Sequence, residues 1–238
     1  MTEPLIERQR KLLEYLTSGE AIFDGLPPGD SALAGFEWTR LRLEARFSFS
    51  KRIDKIRALL PLTFALLGEK RDDILRNFTV SCPPRSIARI DNAAEFCDFL
   101  RERGESLVPA LPWLSDVAAC ELAFARVRMG VDRRGATETS VGTPRLALNV
   151  VLLRCRYNVA AFFEKGPDAS APERRETFLA VQLSEPALRP RVFALSTDAY
   201  AFLNALADTR QLSRDFNASE FVSLRGELVA CGLIEINA

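Results

Sequence analysis

The sequence predicts an α+β fold, in which an all-helical N-terminal domain is followed by a small winged-helix-like domain of three strands plus helices. Apolar residues recur at helical intervals up to residue 129, and β-branched apolar runs replace that pattern beyond residue 144. Between them, residues 130–144 are polar and punctuated by glycine, as is typical of a domain boundary. A chain of 238 residues can supply cores for two such domains. We therefore predict domains at residues 1–130 and 144–238.

Helical spacing divides the first domain into a series of helices. The first covers residues 3–17 and stops at the Ser-Gly pair that follows. Residues 38–68 predict two helical pieces, because Pro61 disrupts a helix interior and so marks a kink or a new start near Leu60. Alternating apolar residues over 43–49 leave a strand open as an alternative there.

The remainder of the first domain is also predicted to be helical. Two prolines within residues 82–86 hold that segment extended. Asp91 or Asn92 caps the next helix, which Gly104 ends. Two further helices are predicted, at residues 69–80 and at about 113–129.

The second domain is predicted to contain three strands and then two helices. The strands are rich in β-branched and apolar residues and lie at residues 146–155, 177–183 and 191–195. Ser196 or Thr197 caps a helix over 198–207. Asn217 or Ser219 caps the last helix, which reaches Cys231 and stops at Gly232.

Histidine is absent from the chain, and this absence limits its chemistry more than any other feature of its composition. Histidine is the commonest general base and the commonest metal ligand in proteins. Ser-His-Asp and Cys-His catalysis are therefore excluded within this chain. The phosphate-binding patterns G-x-x-x-x-G-K-[ST] and G-x-G-x-x-G are missing, and so is a C-x-x-C pair. We predict a non-catalytic subunit without catalytic or metal-binding residues of its own.

Composition and cysteine usage predict a cytoplasmic protein. Lys plus Arg and Asp plus Glu both number 32, so the net charge gives no attraction to nucleic acid or to an anionic membrane. No apolar run approaches the ~20 residues of a membrane-spanning helix, and the charged first residues lack the apolar region of a signal peptide. The five cysteines are scattered among apolar neighbours, which is typical of reduced, buried thiols.

A basic run occupies residues 40–57, where lysine and arginine outnumber the acidic residues Glu44 and Asp54. Three interpretations stay open: the solvated face of an amphipathic helix, a patch for an acidic protein partner, or a nucleic-acid site. On the second interpretation, the partner interface comprises Arg42, Arg46, Arg52 and Lys55.

The last predicted helix bears on the choice between DNA and peptide as a ligand. Winged helices that bind DNA insert a recognition helix whose exposed face is basic. Residues 217–231 contain Arg225 against Glu220 and Glu227, so this helix would repel phosphates. A peptide that pairs with a sheet edge suits the segment better, because main-chain hydrogen bonds need no charge. A winged-helix DNA-binding regulator remains the alternative function.

Four short segments between residues 38 and 128 share their order and spacing with the motifs of one known family. They read RALLPLTFALLGE at 57–69, CPPRS at 82–86, FCDFL at 96–100, and PWLSDVA at 112–118 followed by Glu121. Together they resemble the motifs of HvfC-like proteins, with the Phe-Pro order of the first motif altered. The C-terminal part looks like the PqqD-type winged-helix domains that recognise the leaders of ribosomally made peptides.

The resemblance implies a division of labour between this chain and an enzyme. HvfC-like proteins include partners of metal-dependent TIM-barrel enzymes, and the chain is most similar to those of methanobactin biosynthesis. The implied partner is an iron-dependent TIM-barrel oxidase (MbnB-like), which converts cysteines of a precursor peptide (MbnA-like) to oxazolone and thioamide groups. The iron would belong to the partner subunit, and this chain would bind no cofactor, nucleic acid or membrane. A sister pathway of peptide modification stays open.

The predicted peptide site joins one strand to the last helix. The leader would add as a strand beside residues 191–195, with apolar anchors against Phe221, Leu224 and Leu228. Such binding should be sensitive to charge at Phe193. The predicted peptide-binding residues are Arg191, Val192, Phe193, Ala194, Leu195, Phe221, Leu224, Arg225 and Leu228.

Overall fold

The computed structural model describes residues 4–25, 27–130, 144–184, 189–207 and 219–236. The chain divides into two compact units, Met1–Ala118 and Ala119–Ala238. The first unit is helical, and the second combines helices with small antiparallel sheets. The predicted α+β class with a helical N-terminal part is therefore confirmed. No helix within the described ranges is long and apolar enough to cross a membrane.

The α-helices of the first unit follow the predicted series closely. They are α1 (Leu5–Thr17), α2 (Trp38–Leu59), α3 (Pro61–Leu67), α4 (Arg71–Ser81), α5 (Arg89–Leu107) and α6 (Leu114–Met129), the last of which passes the division between the units. Shorter helical turns lie between them at Glu20–Asp24, Ser31–Leu33 and Gly68–Lys70.

A proline separates α2 from α3, as predicted. Pro61 occupies the first turn of α3, where the N–H that it lacks has no helical acceptor. The Leu60 N–H donates to the Ile56 carbonyl at 2.9 Å and closes α2. The alternating stretch 43–49 is helical rather than extended, because α2 buries residues at helical spacing from Leu41 onward.

Helix α5 begins before its predicted caps. Its N-cap is Ala88, whose side chain makes no capping bond, so Asp91 and Asn92 lie inside the first turn. The Asn92 amide donates instead to the carbonyls of Ser86 at 2.9 Å and Ala88 at 2.7 Å. The prediction of Asp91 or Asn92 as the cap is therefore wrong, because this side chain bonds backward to the preceding carbonyls.

The same helix continues past its predicted stop at Gly104. Gly104 is buried within α5, which ends at Leu107. The Val108 N–H donates to the Gly104 carbonyl at 2.8 Å, and the Val108 side chain is buried. Burial of an apolar residue one turn later therefore outweighs the tendency of glycine to end a helix.

Four phenylalanines from three helices form the centre of the first unit. The Phe78 ring of α4 lies edge-to-face with Phe96 and Phe99 of α5, at centroid distances of 5.0 and 5.4 Å. Phe64 of α3 lies 5.7 Å from Phe96. Such ring pairs add about 0.5–1.5 kcal/mol each to the burial of their apolar area, so these contacts fix α3, α4 and α5 against one another.

The second unit contains short strands, helices and two antiparallel sheets. Its elements are β1 (Pro144–Leu146), β2 (Val150–Cys155), α7 (Ala160–Lys165), β3 (Thr177–Ser184), β4 (Arg189–Leu195), α8 (Thr197–Ala207), α9 (Ser219–Ala230) and β5 (Ile234–Ile236). Strands β2, β3 and β4 form a sheet in that order, while β1 pairs with β5.

Two predicted ends of the C-terminal helices are confirmed, and the first predicted strand is confirmed over residues 150–155. The Ser196 hydroxyl accepts a hydrogen bond from the Ala199 N–H at 3.1 Å and caps α8. Gly232, with a φ of 73°, follows the end of α9. Of the predicted strand at 146–155, residues 150–155 form β2, whereas Leu146 ends β1, which pairs with β5. Helix α7 was not predicted, and the proposed cap Asn217 lies outside the described residues.

Side chains of the three-stranded sheet alternate between two buried faces. On one face, Ala180 packs in a cluster with Leu203 of α8. On the other, Val181 packs against Val127 of α6. The second half of α6 therefore belongs to the second unit, and the division at residue 118 precedes the predicted linker at 130–144.

Candidate peptide-binding edge and the Arg52 network

Strand β4 lies at an edge of its sheet. It pairs with β3 from Phe178↔Leu195 to Ser184↔Arg189, and within the described residues no strand pairs with its other side. A strand in this position presents unpaired main-chain N–H and C=O groups. These groups can pair with an extended peptide in the manner of an added strand.

Alternate side chains of β4 differ in their exposure. Phe193 and Leu195 are partly buried against the cluster that contains Ala180 and Leu203. Val192 is 43% exposed, and Ala194 is exposed as well. An extended peptide beside β4 could therefore contact the exposed pair without displacing the core.

Two side chains of β4, Arg191 and Phe193, lie next to each other. The Arg191 guanidinium carbon lies 4.9 Å from the centroid of the Phe193 ring, within the usual range of a cation–π contact. Arg191 itself is exposed. The contact places a positive charge at the edge strand, beside the position that a bound peptide would take.

The position of a proline indicates which main-chain groups of β4 face the open edge. Pro190 lies within β4, opposite Leu183. Proline has no N–H and is tolerated in a strand where that position points away from the neighbouring strand. Since this direction repeats at every second residue, we infer that the N–H groups of Val192 and Ala194 point toward the open edge.

Helix α9 contributes to the same cluster as β4. Leu224 is partly buried against it, and Leu228 is 5% exposed and belongs to its core. Arg225 is half-buried, and the side chain of Phe221 lies outside the described part of the molecule. The structure thus brings Phe193, Leu195, Leu224 and Leu228 together, but it buries Leu228 in the fold itself.

Arg52 of α2 is the centre of a buried polar network in the first unit. Its side chain is 8% exposed. Its Nε donates to Asn92 Oδ1 at 2.9 Å, its Nη1 to the Cys82 carbonyl at 2.7 Å, and its Nη2 to Glu95 Oε2 at 2.8 Å. The guanidinium carbon lies 4.4 Å from the centroid of the Phe78 ring. Arg52 therefore joins α2, α4, α5 and the segment between the last two.

Burial and the Glu95 carboxylate act in opposite directions on the Arg52 guanidinium. Removal from water lowers the pKa of the Arg52 guanidinium, and the Glu95 carboxylate opposes that effect. An arginine remains charged at any physiological pH, so the network holds a permanent cation. The predicted partner interface included Arg52, but its donors are engaged inside the unit.

The other three residues of the predicted partner interface differ in exposure. Arg46 is exposed on α2. Lys55 is half-buried, and its Nζ donates to the Ile87 carbonyl at 2.9 Å. Arg42 packs against Gly25, whose φ is 65° and where an added Cβ would lie 2.3 Å from Arg42 Cζ. Its buried Nε has no hydrogen-bond partner among the described residues.

The cysteines provide a test of the packing around Arg52. Cys231 is exposed, Cys82 is half-buried, and Cys97, Cys120 and Cys155 are buried. Burial also raises the pKa of the Cys82 thiol, which leaves less of the reactive thiolate at a given pH. We expect iodoacetamide at mildly alkaline pH to modify Cys231 first and Cys82 more slowly, as followed by peptide mass spectrometry. Equal rates at these two residues would contradict the described burial of Cys82.

Comparisons with known proteins add no identification. No family model matches the chain, and no curated protein matches it.

Proposed function

We propose that this chain is a non-catalytic partner subunit that binds the leader of a ribosomally made precursor peptide. The observation that carries the proposal is the open edge of β4, with Val192 and Ala194 exposed beside it. Added-strand binding draws affinity from main-chain hydrogen bonds and specificity from alternate side chains. A three-stranded sheet that is covered on both faces provides a rigid support for such a strand.

The charges near the edge favour a peptide over DNA. Helix α9 has Arg225 as its one basic residue in sequence, against Glu220 and Glu227. A helix that enters the major groove needs several positive side chains to neutralise phosphates. The Arg191 guanidinium, in contrast, provides a single cation that could pair with an acidic residue of a leader.

Within this class of partner subunits, the chain most resembles MbnC. The proposed enzyme is then an iron-dependent TIM-barrel oxidase of the MbnB type, and the proposed substrate is an MbnA-like peptide whose cysteines become oxazolone and thioamide groups. The resemblance of residues 57–69 and 82–86 to HvfC-like motifs supports the broader class of partner subunits, within which a sister pathway of peptide modification is the alternative. Iron and oxygen chemistry would belong to the enzyme, while this chain would hold the leader.

Co-expression tests the proposal directly. The tagged chain would be produced together with the products of its neighbouring genes, and the purified material would be analysed by mass spectrometry and for iron. We expect a metal-containing enzyme subunit and a short peptide to co-purify. Recovery of the chain alone, together with salt-sensitive binding to duplex DNA, would contradict the proposal and favour the DNA-binding alternative.

A further inference from the structure

The first unit contains a pocket with a volume of ≈ 220 Å³. One wall is formed by Ser48, Phe49, Lys51, Arg52 and Lys55 of α2, and we call this site the α2 pocket. The other walls come from α1, the turn after it, α4, the segment that precedes α5, and Asn92 of α5. None of the residues in the proposed peptide edge belongs to it.

Apolar side chains form much of the α2 pocket lining, beside the neutral polar side chains of Thr17, Ser48, Thr79, Ser86 and Asn92. Its apolar part includes Ile22, which is 4% exposed, and Leu16 and Phe49, which are half-buried. The Phe49 ring is held edge-to-face against Phe23, with the centroids 5.2 Å apart. A site with fixed apolar walls favours an apolar group over water.

The charges that line the α2 pocket are all positive. Lys51, Arg52 and Lys55 contribute to its lining, and no carboxylate does. The charge of Arg52 is balanced by Glu95. Lys55 donates to a neutral carbonyl, and Lys51 is exposed at the rim. The lining of the α2 pocket therefore carries two cations that are not matched by a carboxylate within the described structure.

The volume limits what can enter. Sites for drug-sized ligands usually measure roughly 300–1,000 Å³, whereas an apolar cavity of about 150 Å³ binds benzene. The α2 pocket therefore has room for one ring-sized or branched side chain rather than for a whole metabolite. Its rim is accessible, since Ile87 is 90% exposed.

We propose that the α2 pocket binds an acidic peptide segment that inserts one apolar side chain. The side chain would contact Leu16, Ile22 and Phe49, and neighbouring carboxylates would lie against Lys51 and Lys55. The apolar part of the lining and the volume favour one apolar side chain, and the unmatched cations Lys51 and Lys55 favour neighbouring carboxylates. The proposal is independent of peptide binding at β4.

The binding experiment uses the full chain and synthetic peptides. The probe is acetyl-Glu-Asp-Leu-Asp-Glu-amide, titrated into ¹⁵N-labelled protein to millimolar concentration. We expect the amide signals of Ser48, Lys51 and Ile87 to shift. Replacing the leucine of the probe by alanine should weaken binding roughly tenfold, as expected for the loss of a buried side chain. The all-amide peptide Gln-Asn-Leu-Asn-Gln should also bind several times more weakly, since each lost pairing at the exposed rim is small.

Variants of exposed residues connect the signals to the pocket. Ser48→Trp should fill the pocket and abolish binding, and Lys51→Glu should weaken it roughly fivefold to tenfold by charge reversal. Arg46→Glu makes the same charge change on the same helix outside the pocket lining and should leave the dissociation constant within about twofold. The Val192→Pro variant of β4 should also bind the probe normally, which separates this site from the proposed function.

Several results would overturn the proposal. One is the absence of shifts at millimolar peptide, and another is equal affinity for the acidic and all-amide peptides. Unchanged binding by both Ser48→Trp and Lys51→Glu would place the peptide elsewhere. Binding of free 4-methylpentanoate as tightly as the peptide would assign the pocket to small carboxylic acids instead.

Discussion

Replacing Arg52 by methionine is expected to lower the free energy of unfolding of the first unit by about 3–5 kcal/mol. The substitution removes three hydrogen bonds, to Asn92, Cys82 and Glu95. It also leaves the Glu95 carboxylate, whose side chain is 21% exposed, without its cation. An unpaired charge in such a site costs more than the intact pair contributes. Urea denaturation followed by circular dichroism measures the change.

Arg46→Met is the matched control for this substitution. Arg46 lies on the same helix and is exposed, so its replacement should change the unfolding free energy by no more than about 0.5 kcal/mol. The double variant with Glu95→Gln should recover part of the loss, because a neutral amide then replaces the unpaired carboxylate. A loss below about 1 kcal/mol for Arg52→Met would mean that the network adds no net stability.

Replacing Val192 by proline is expected to weaken binding of the leader peptide roughly tenfold or more. The substitution removes one main-chain donor from the open edge of β4 and hinders close approach of a second strand. A hydrogen bond contributes about 0.5–1.5 kcal/mol, and 1.4 kcal/mol corresponds to a factor of ten. Fluorescence anisotropy with the labelled leader, encoded beside this chain, measures the dissociation constant.

Val192→Thr is the control, since it retains the N–H and the branched shape. Its dissociation constant should stay within about twofold of the parent value. Parent-like affinity of a folded Val192→Pro variant would exclude binding at this edge. Phe193→Asp and Leu224→Asp are less informative, because both side chains pack against the core of the second unit. An added charge there would lower stability together with binding.

Elements signalled by their own residues could be predicted from the sequence. Pro61 marks the break between α2 and α3, and Ser196 supplies the cap of α8. Strand β1 could not be separated from β2 in this way, because its partner β5 lies about 90 positions away. The local pattern of residues 146–155 does not indicate that Leu146 belongs to a strand that pairs with β5.

Arg52 shows a different limit of sequence-based prediction. A charged residue in a basic run is usually solvated. The sequence therefore predicts Arg52 to be part of an exposed interface. One signal in the sequence does point inward. Arg52 precedes Ile56 by four positions and follows Ala45 by seven, so all three share a helical face, and all three are buried. The acceptors Asn92 and Glu95 carry no comparable signal, because their approach to Arg52 depends on tertiary packing.

The pairing of β1 with β5 sets an order of events during synthesis of the chain. Residues 144–146 leave the ribosome long before their partners at 234–236, with which they pair in antiparallel register. Closing a chain segment of this length costs roughly 4 kcal/mol in entropy. The two-stranded sheet of β1 and β5 can form only after the rest of the second unit has been synthesised. Until then the strand at 144–146 is an unpaired edge, which is the kind of surface that invites contact with other nascent chains.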